Sequence, residues 1–174
     1  MRGIIIASTV AVAALASAIL LAGTVTSMPP KNVPIGTGYY TALLNGYKLT
    51  PPVASDGFAT IQLWIHRHGD TFEIPFSLSW HSLEGNVTRA YLSFGEPWLG
   101  GQRILTLCEP CPRGTTSSYS RSAWNALKPE DLNYAGSFDN FTDFIKGLWN
   151  GRVWVVLETT AYPNGEVGGV LTRG

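Results

Sequence analysis

His66 and His68 stand two residues apart, and Asp70, Glu73 and His81 follow within one hairpin-like pattern. Residues two apart on a strand share a face. Two imidazoles at that spacing could hold zinc or copper, with an oxygen from Asp70 or Glu73 and His81 approaching across the hairpin. The same residues also serve as an ordinary exposed hairpin end, and on that reading the chain holds no metal and no cofactor. Cys108 and Cys111 form a Cys-Glu-Pro-Cys motif. A thioredoxin-like redox pair needs its first cysteine at a helix N-terminus, which lowers the thiol pKa. Here the strand-like run Ile104 to Leu107 enters the motif and Cys-Pro-Arg-Gly leaves it, so a structural disulfide is expected.

Other chemistry is sparse. The sequence holds no Gly-x-Ser-x-Gly elbow, phosphate loop or His-Glu-x-x-His. Its carboxylates are unpaired in sequence, so no glycosidase pair can be inferred. No catalytic residue is therefore expected. The six tryptophans could line a carbohydrate or peptide groove, although core packing is the commoner role. Asn86-Val-Thr and Asn140-Phe-Thr are glycosylation sequons, which matter if the source is a eukaryote.

These residues sit on a chain of 174 residues with 14 % charged residues and a formal net charge of zero. Such a chain offers nucleic acid no basic surface. Its 19 glycines, 11 prolines and 11 % aromatic content suit many short strands joined by turns. Met1-Arg2-Gly3 followed by an apolar run from Ile4 to Gly23 reads as a secretory signal, with Val25 and Ser27 suiting cleavage after Ser27. Residues 4–23 could instead stay as a membrane anchor. Either way the remaining chain lies outside the cytoplasm. Residues 28–37 are a Pro- and Gly-rich extended lead-in, and 38–174 form one domain.

Strand signals follow one another along that domain. Tyr39 to Leu44 is a first strand, and Pro51-Pro52 forces an edge or a crossing loop. Ile61, Leu63 and Ile65 alternate with Thr60, Gln62, Trp64 and His66. Phe72, Ile74, Phe76, Leu78 and Trp80 alternate with their own neighbours in the same way, with Pro75 marking an edge or bulge. Val87 to Phe94 and Gln102 to Cys108 are further strands, and Pro129-Glu130-Asp131 is a helical turn. Phe141, Phe144, Ile145 and Leu148 recur at helical spacing, with Ser137 or Asp139 as cap. Val153 to Thr160 carries apolar residues on both faces, as a strand covered on both sides does. Asn164-Gly165 then signals a hairpin into Glu166 to Leu171. Together these predict an all-β, two-layer antiparallel Greek-key sandwich, immunoglobulin-like, with one short helix before the C-terminal hairpin.

Several stretches in this order resemble the chordin-type (CHRD) domain: Tyr40 to Gly46, Pro51-Pro52-Val53, Ser55 to Ala59, Leu83-Glu84-Gly85 with Val87 to Ala90, and the closing Pro163-Asn-Gly-Glu-Val-Gly-Gly-Val-Leu171. The resemblance covers roughly residues 38–171. The family's usual His-Ile-His is Tyr91-Leu92-Ser93 here, and a further family histidine is Glu158. Only Gly165, Glu166 and Gly169 carry over, as structural residues of the closing hairpin, with Glu166 accepting backbone hydrogen bonds. Tyr91, Ser93 and Glu158 form a candidate polar surface cluster, a poor site for zinc or copper. On that reading Glu158→Gln changes stability by no more than about 1–2 kcal/mol. The resemblance implies a secreted, non-enzymatic binding module for an extracellular protein or matrix component. Two alternatives differ in class. The chain could be a structural subunit of an extracellular matrix or filament, self-assembling by addition of the Met28 to Gly38 segment to a neighbour's sheet edge. It could also be a metal-dependent enzyme, which the replaced histidines disfavour.

Overall fold

A computed structural model describes residues 38–68, 71–99, 101–134 and 139–174. The signal or anchor segment, the lead-in 28–37, Asp70 and the proposed cap Ser137 lie outside the described residues. The strands are β1 (Gly38–Asn45), β2 (Phe58–His68), β3 (Thr71–Glu73), β4 (Phe76–His81), β5 (Val87–Phe94), β6 (Gln102–Cys108), β7 (Ser117–Arg121), β8 (Val153–Thr159), β9 (Val167–Val170) and β10 (Thr172–Arg173). One α-helix, α1 (Phe141–Trp149), precedes β8. No described helix is long and apolar enough to cross a membrane.

The fold is mostly antiparallel β-sheet with one helix, as the alternation predicts. All strands join one hydrogen-bonded sheet in the order β6-β5-β8-β9-β1-β2-β4-β7, with β10 on β1 and β3 on β2. The sheet curls until it nearly closes. The segment after β7 returns to the sheet at two points: Leu127 bridges to Ile74, between β3 and β4, and the Asn133 N–H donates to the Ile104 carbonyl of β6 at 2.7 Å.

Period-two alternation explains which face turns inward. Ala42 and Leu44 of β1, Ile61 and Leu63 of β2, Leu78 and Trp80 of β4, and Val155 and Leu157 of β8 are buried in one core. Pro75, which has no N–H to give the ladder, separates β3 from β4, and its carbonyl accepts from the Trp64 N–H at 3.0 Å. The helix is capped by Asn140, whose side chain accepts from the Asp143 N–H, in place of Ser137 or Asp139. Phe144, Ile145 and Leu148 face the core. Gly147 is required beneath the Phe94 ring, where a Cβ would lie 2.5 Å from a ring carbon.

The closing hairpin departs from the two-residue Asn-Gly turn that the sequence suggests. Only Gly165 has positive φ (120°); Asn164 is not among the described residues with positive φ. The turn runs Tyr162-Pro163-Asn164-Gly165 and is closed by the Gly165 N–H donating to the Tyr162 carbonyl at 3.1 Å. Proline second and glycine fourth are the preferences of a type I turn, so proline sets the geometry that asparagine was expected to set.

Candidate functional site

A groove of about 590 Å³ opens on the outer face of β5 and β8, where their ends meet the closing hairpin. Its position follows from three local choices. Leu49, after the short turn that ends β1, lies across Gly165 and Gly168. A Cβ on Gly168 would sit 2.5 Å from a Leu49 methyl, so glycine there leaves room for the leucine. Pro51 and Pro163 form part of its walls. Trp98, from the turn between β5 and β6, packs edge-on against Trp154 with ring centroids 5.0 Å apart and contributes another wall. This covering explains why β8 is apolar on both faces: Val156 is fully buried on the groove side while Val155 and Leu157 face the core.

Tyr91 and Glu158 both line the groove. Their strands pair so that Arg89 lies opposite Glu158 and Tyr91 opposite Val156, which makes Tyr91 and Glu158 diagonal neighbours. The buried Glu158 carboxylate accepts from Arg89 Nη1 at 2.9 Å and from Arg103 Nη2 at 3.3 Å, so each oxygen already has a cation. Arg103 also lies over the Tyr91 ring, 4.3 Å from its centroid. Arg89 extends the chain of charges outward to the exposed Glu109. Hydrogen bonding to Arg89 holds the Glu109 carboxyl below its ordinary range. This pair therefore favours the folded state above the ordinary carboxylate range, and the contribution is lost as pH falls through the depressed pKa.

Burial pushes the Tyr91 hydroxyl above its ordinary value, and the nearby Glu158 charge adds to the rise against the opposing arginines. Tyr40 is raised by burial as well. A raised pKa means that the unfolded chain loses its proton first, so stability is complete below about pH 10 and falls as pH rises from there toward the folded pKa. Alkaline unfolding monitored by tyrosinate absorbance should show this loss. Tyr91→Phe should shift the onset upward, and an unchanged onset would place the cause elsewhere.

The sequence-predicted residues divide clearly. Tyr91 and Glu158 converge, but Ser93 does not join them: it is buried, and its hydroxyl donates to the Gly95 carbonyl at 3.0 Å. Cys108 and Cys111 are disulfide-bonded at the end of β6. Glu166 is fully buried and accepts from the Glu84 backbone N–H at 2.7 Å. Two hydroxyls join it, Ser55 at 2.7 Å and Thr159 at 2.8 Å. Gly169 marks a close approach of backbones, since a Cβ would lie 2.7 Å from the Leu43 carbonyl oxygen. Asn86 and Asn140 are exposed; the Asn86 side chain accepts from the Gly114 N–H at 2.9 Å.

The histidines do not assemble. His81 pairs with Phe58 at one end of β2, and their rings stack 5.1 Å apart. His66 pairs with Glu73 near the other end of β2. Eight residues of strand separate Phe58 from His66, about 26 Å. No group of three His, Cys, Asp or Glu residues able to hold a metal occurs among the described residues. Sequence reasoning missed Arg89, Arg103, Glu109, Leu49 and Trp98. Only the register of β5 on its two neighbours brings the charged residues together, and sequence gives no signal for that register. Comparisons with protein-family models, with curated proteins and with solved structures return no match for this chain.

Proposed function

We propose that this chain is a secreted, non-enzymatic binding module whose ligand lies in the groove between Leu49, Trp98 and the closing hairpin. The observation that carries the reading is the closure of Glu158 by two arginines. The carboxylate is committed to the fold, so the groove presents the rings of Tyr91, Trp98 and Tyr162 and the prolines Pro51 and Pro163. Aromatic and proline walls around a concavity suit an extended, uncharged, proline-containing protein segment, which arrives with little conformational entropy to lose. An extracellular protein or matrix component is the partner class. The chordin-type resemblance points the same way, and the curled sheet supplies the rigid support.

Selection of displayed proline-rich peptides on immobilised protein tests this. Peptides enriched on wild type should lose about tenfold or more in affinity for Trp98→Ala. Absence of enrichment, or enrichment indifferent to both Trp98→Ala and Tyr91→Ala, would remove the groove as the ligand site.

A second reading, a filament or matrix subunit, is favoured by the end strand β7, whose one strand partner among the described residues is β4. The end of a sheet can accept an added strand, and the Met28 to Gly38 segment of a neighbouring copy would supply it. Light scattering over a range of concentrations separates the readings, because a strand-exchanging subunit grows with concentration and a binding module stays monomeric.

A further inference from the structure

The outer face of β10, β1, β2, β4 and β7 carries a pattern that the groove does not explain. Strand register places Thr172, Thr41, Gln62, Ser77 and Ser120 in one row across five strands. The next row is Leu43, Thr60, Ser79 and Ser118. Gln62, Ser77, Ser118 and Ser120 are exposed, as are Leu43 and Thr60. Aromatic residues bound the rows. The exposed Phe58 and His81 stack at one end, and Trp64 leans on Tyr39 at the other, with ring centroids 5.4 Å apart. No Asp, Glu, Lys or Arg occupies a register position on this face between those two aromatic pairs, although the chain has 24 such residues, 12 basic and 12 acidic.

We propose that this face binds a neutral polysaccharide laid flat across the strands. Hydroxyl and amide side chains both donate and accept hydrogen bonds, as sugar hydroxyls do. Exposed rings offer their faces to the apolar faces of sugar rings. Six residues of β2 separate Phe58 from Trp64, about 20 Å, enough for several sugar rings in a row. The register positions themselves carry no charge, so nothing in the rows prefers an acidic polymer or penalises a neutral one; the cation that approaches them, Lys48, donates to the Leu43 carbonyl at 2.6 Å. A second copy of the chain is the competing occupant, and area disfavours it. A patch spanning five strands about 4.8 Å apart and at most about 20 Å long gives at most roughly 400 Å² per copy, or about 800 Å² for a stacked pair. Stable interfaces bury about 1,200–2,000 Å² around a largely apolar core, whereas the middle of this face is hydroxyl-bearing.

The test is depletion of purified protein by microcrystalline cellulose and by chitin, with insoluble alginic acid as the acidic control, in low and high salt. Wild type should bind one or both neutral polymers regardless of salt, and which of them it binds names the sugar. Ser77→Glu places a charge at the centre of an exposed face without touching the core, and should weaken binding by about tenfold or more. Phe58→Ala should weaken it too, while Trp98→Ala, in the groove, should leave it unchanged. The proposal fails if neither neutral polymer is bound, if Ser77→Glu binds like wild type, or if only Trp98→Ala loses binding. It also fails if light scattering shows a wild-type dimer that Ser77→Glu abolishes, because a second copy would then own the face.

Discussion

Replacing Glu166 by alanine is expected to lower the unfolding free energy by about 3–5 kcal/mol, the range for removing one side of a buried charged network. The carboxylate is fully buried and accepts from two hydroxyls and a backbone N–H. Each donor comes from a different part of the chain: Ser55 from the loop before β2, Glu84 from the turn before β5, and Thr159 from the end of β8. Two of them are relays. The Ser55 hydroxyl accepts from the Gly57 N–H at 3.0 Å, and the Thr159 hydroxyl accepts from the Tyr162 N–H at 3.1 Å. Alanine leaves all three donors facing a cavity, and a buried unsatisfied donor costs about 1–3 kcal/mol. They share one acceptor group, so the costs fall short of additive.

Glutamine at the same position is the informative comparison. Its amide oxygen can still serve Ser55 and Glu84, while its NH2 faces a Thr159 hydroxyl able to rotate and accept. Glu166→Gln should therefore cost about 1–2 kcal/mol. Urea unfolding of the three proteins decides the matter. A loss below about 1 kcal/mol for alanine, or equal losses for both variants, would mean that the network does not hold the closing hairpin to the rest of the sheet.

The same network shows what was legible in sequence. Glu166 was readable as an acceptor at a turn because it follows a glycine turn and precedes a buried run. Its hydroxyl partners were not readable, because Ser55 lies 111 residues away along the chain. Local patterns generally survived. The strands Val87–Phe94 and Gln102–Cys108 have the expected bounds, and α1 follows the spacing of its four apolar residues. Period and capping are local properties, and a short window contains them. The single curled sheet was not legible, because alternation reveals which face is buried and says nothing about which strand lies beside which. The groove failed for the same reason. The chordin-type resemblance sets Tyr91 beside Glu158. Arg89 and Arg103 come from strand register, and Trp98 from a turn with no periodic signal. The resemblance sets Ser93 with Tyr91 as well, yet Ser93 bonds locally, next to the irregularity between β5 and β6 at Leu92 and Ser93.

Exchange of Glu158 for glutamine should cost about 2–3 kcal/mol, more than the limit set by the sequence alone, because the carboxylate is a buried counter-ion rather than a surface group. Its side chain is only 10 % exposed, whereas those of Arg89 and Arg103 are 29 % and 41 % exposed. Solvent therefore screens part of the interaction, most of all on the Arg103 side, and the loss stays below the 3–5 kcal/mol of a fully buried pair. What remains after the exchange is an excess of positive charge. Arg89 keeps the exposed Glu109 but loses its buried partner, and its Nε is already buried without a hydrogen-bond partner. The arginine then costs more than it contributes, so Arg89→Met in the Glu158→Gln background should restore part of the lost stability. A double-mutant cycle should give a coupling of about 1–2 kcal/mol between the two positions. The groove should respond in parallel, because Arg103 would lose the anion that helps hold it over the Tyr91 ring. Strict additivity, or a Glu158→Gln loss under about 0.5 kcal/mol, would return Glu158 to the status of a surface residue. It would also withdraw the argument that the groove's carboxylate belongs to the fold and not to a ligand.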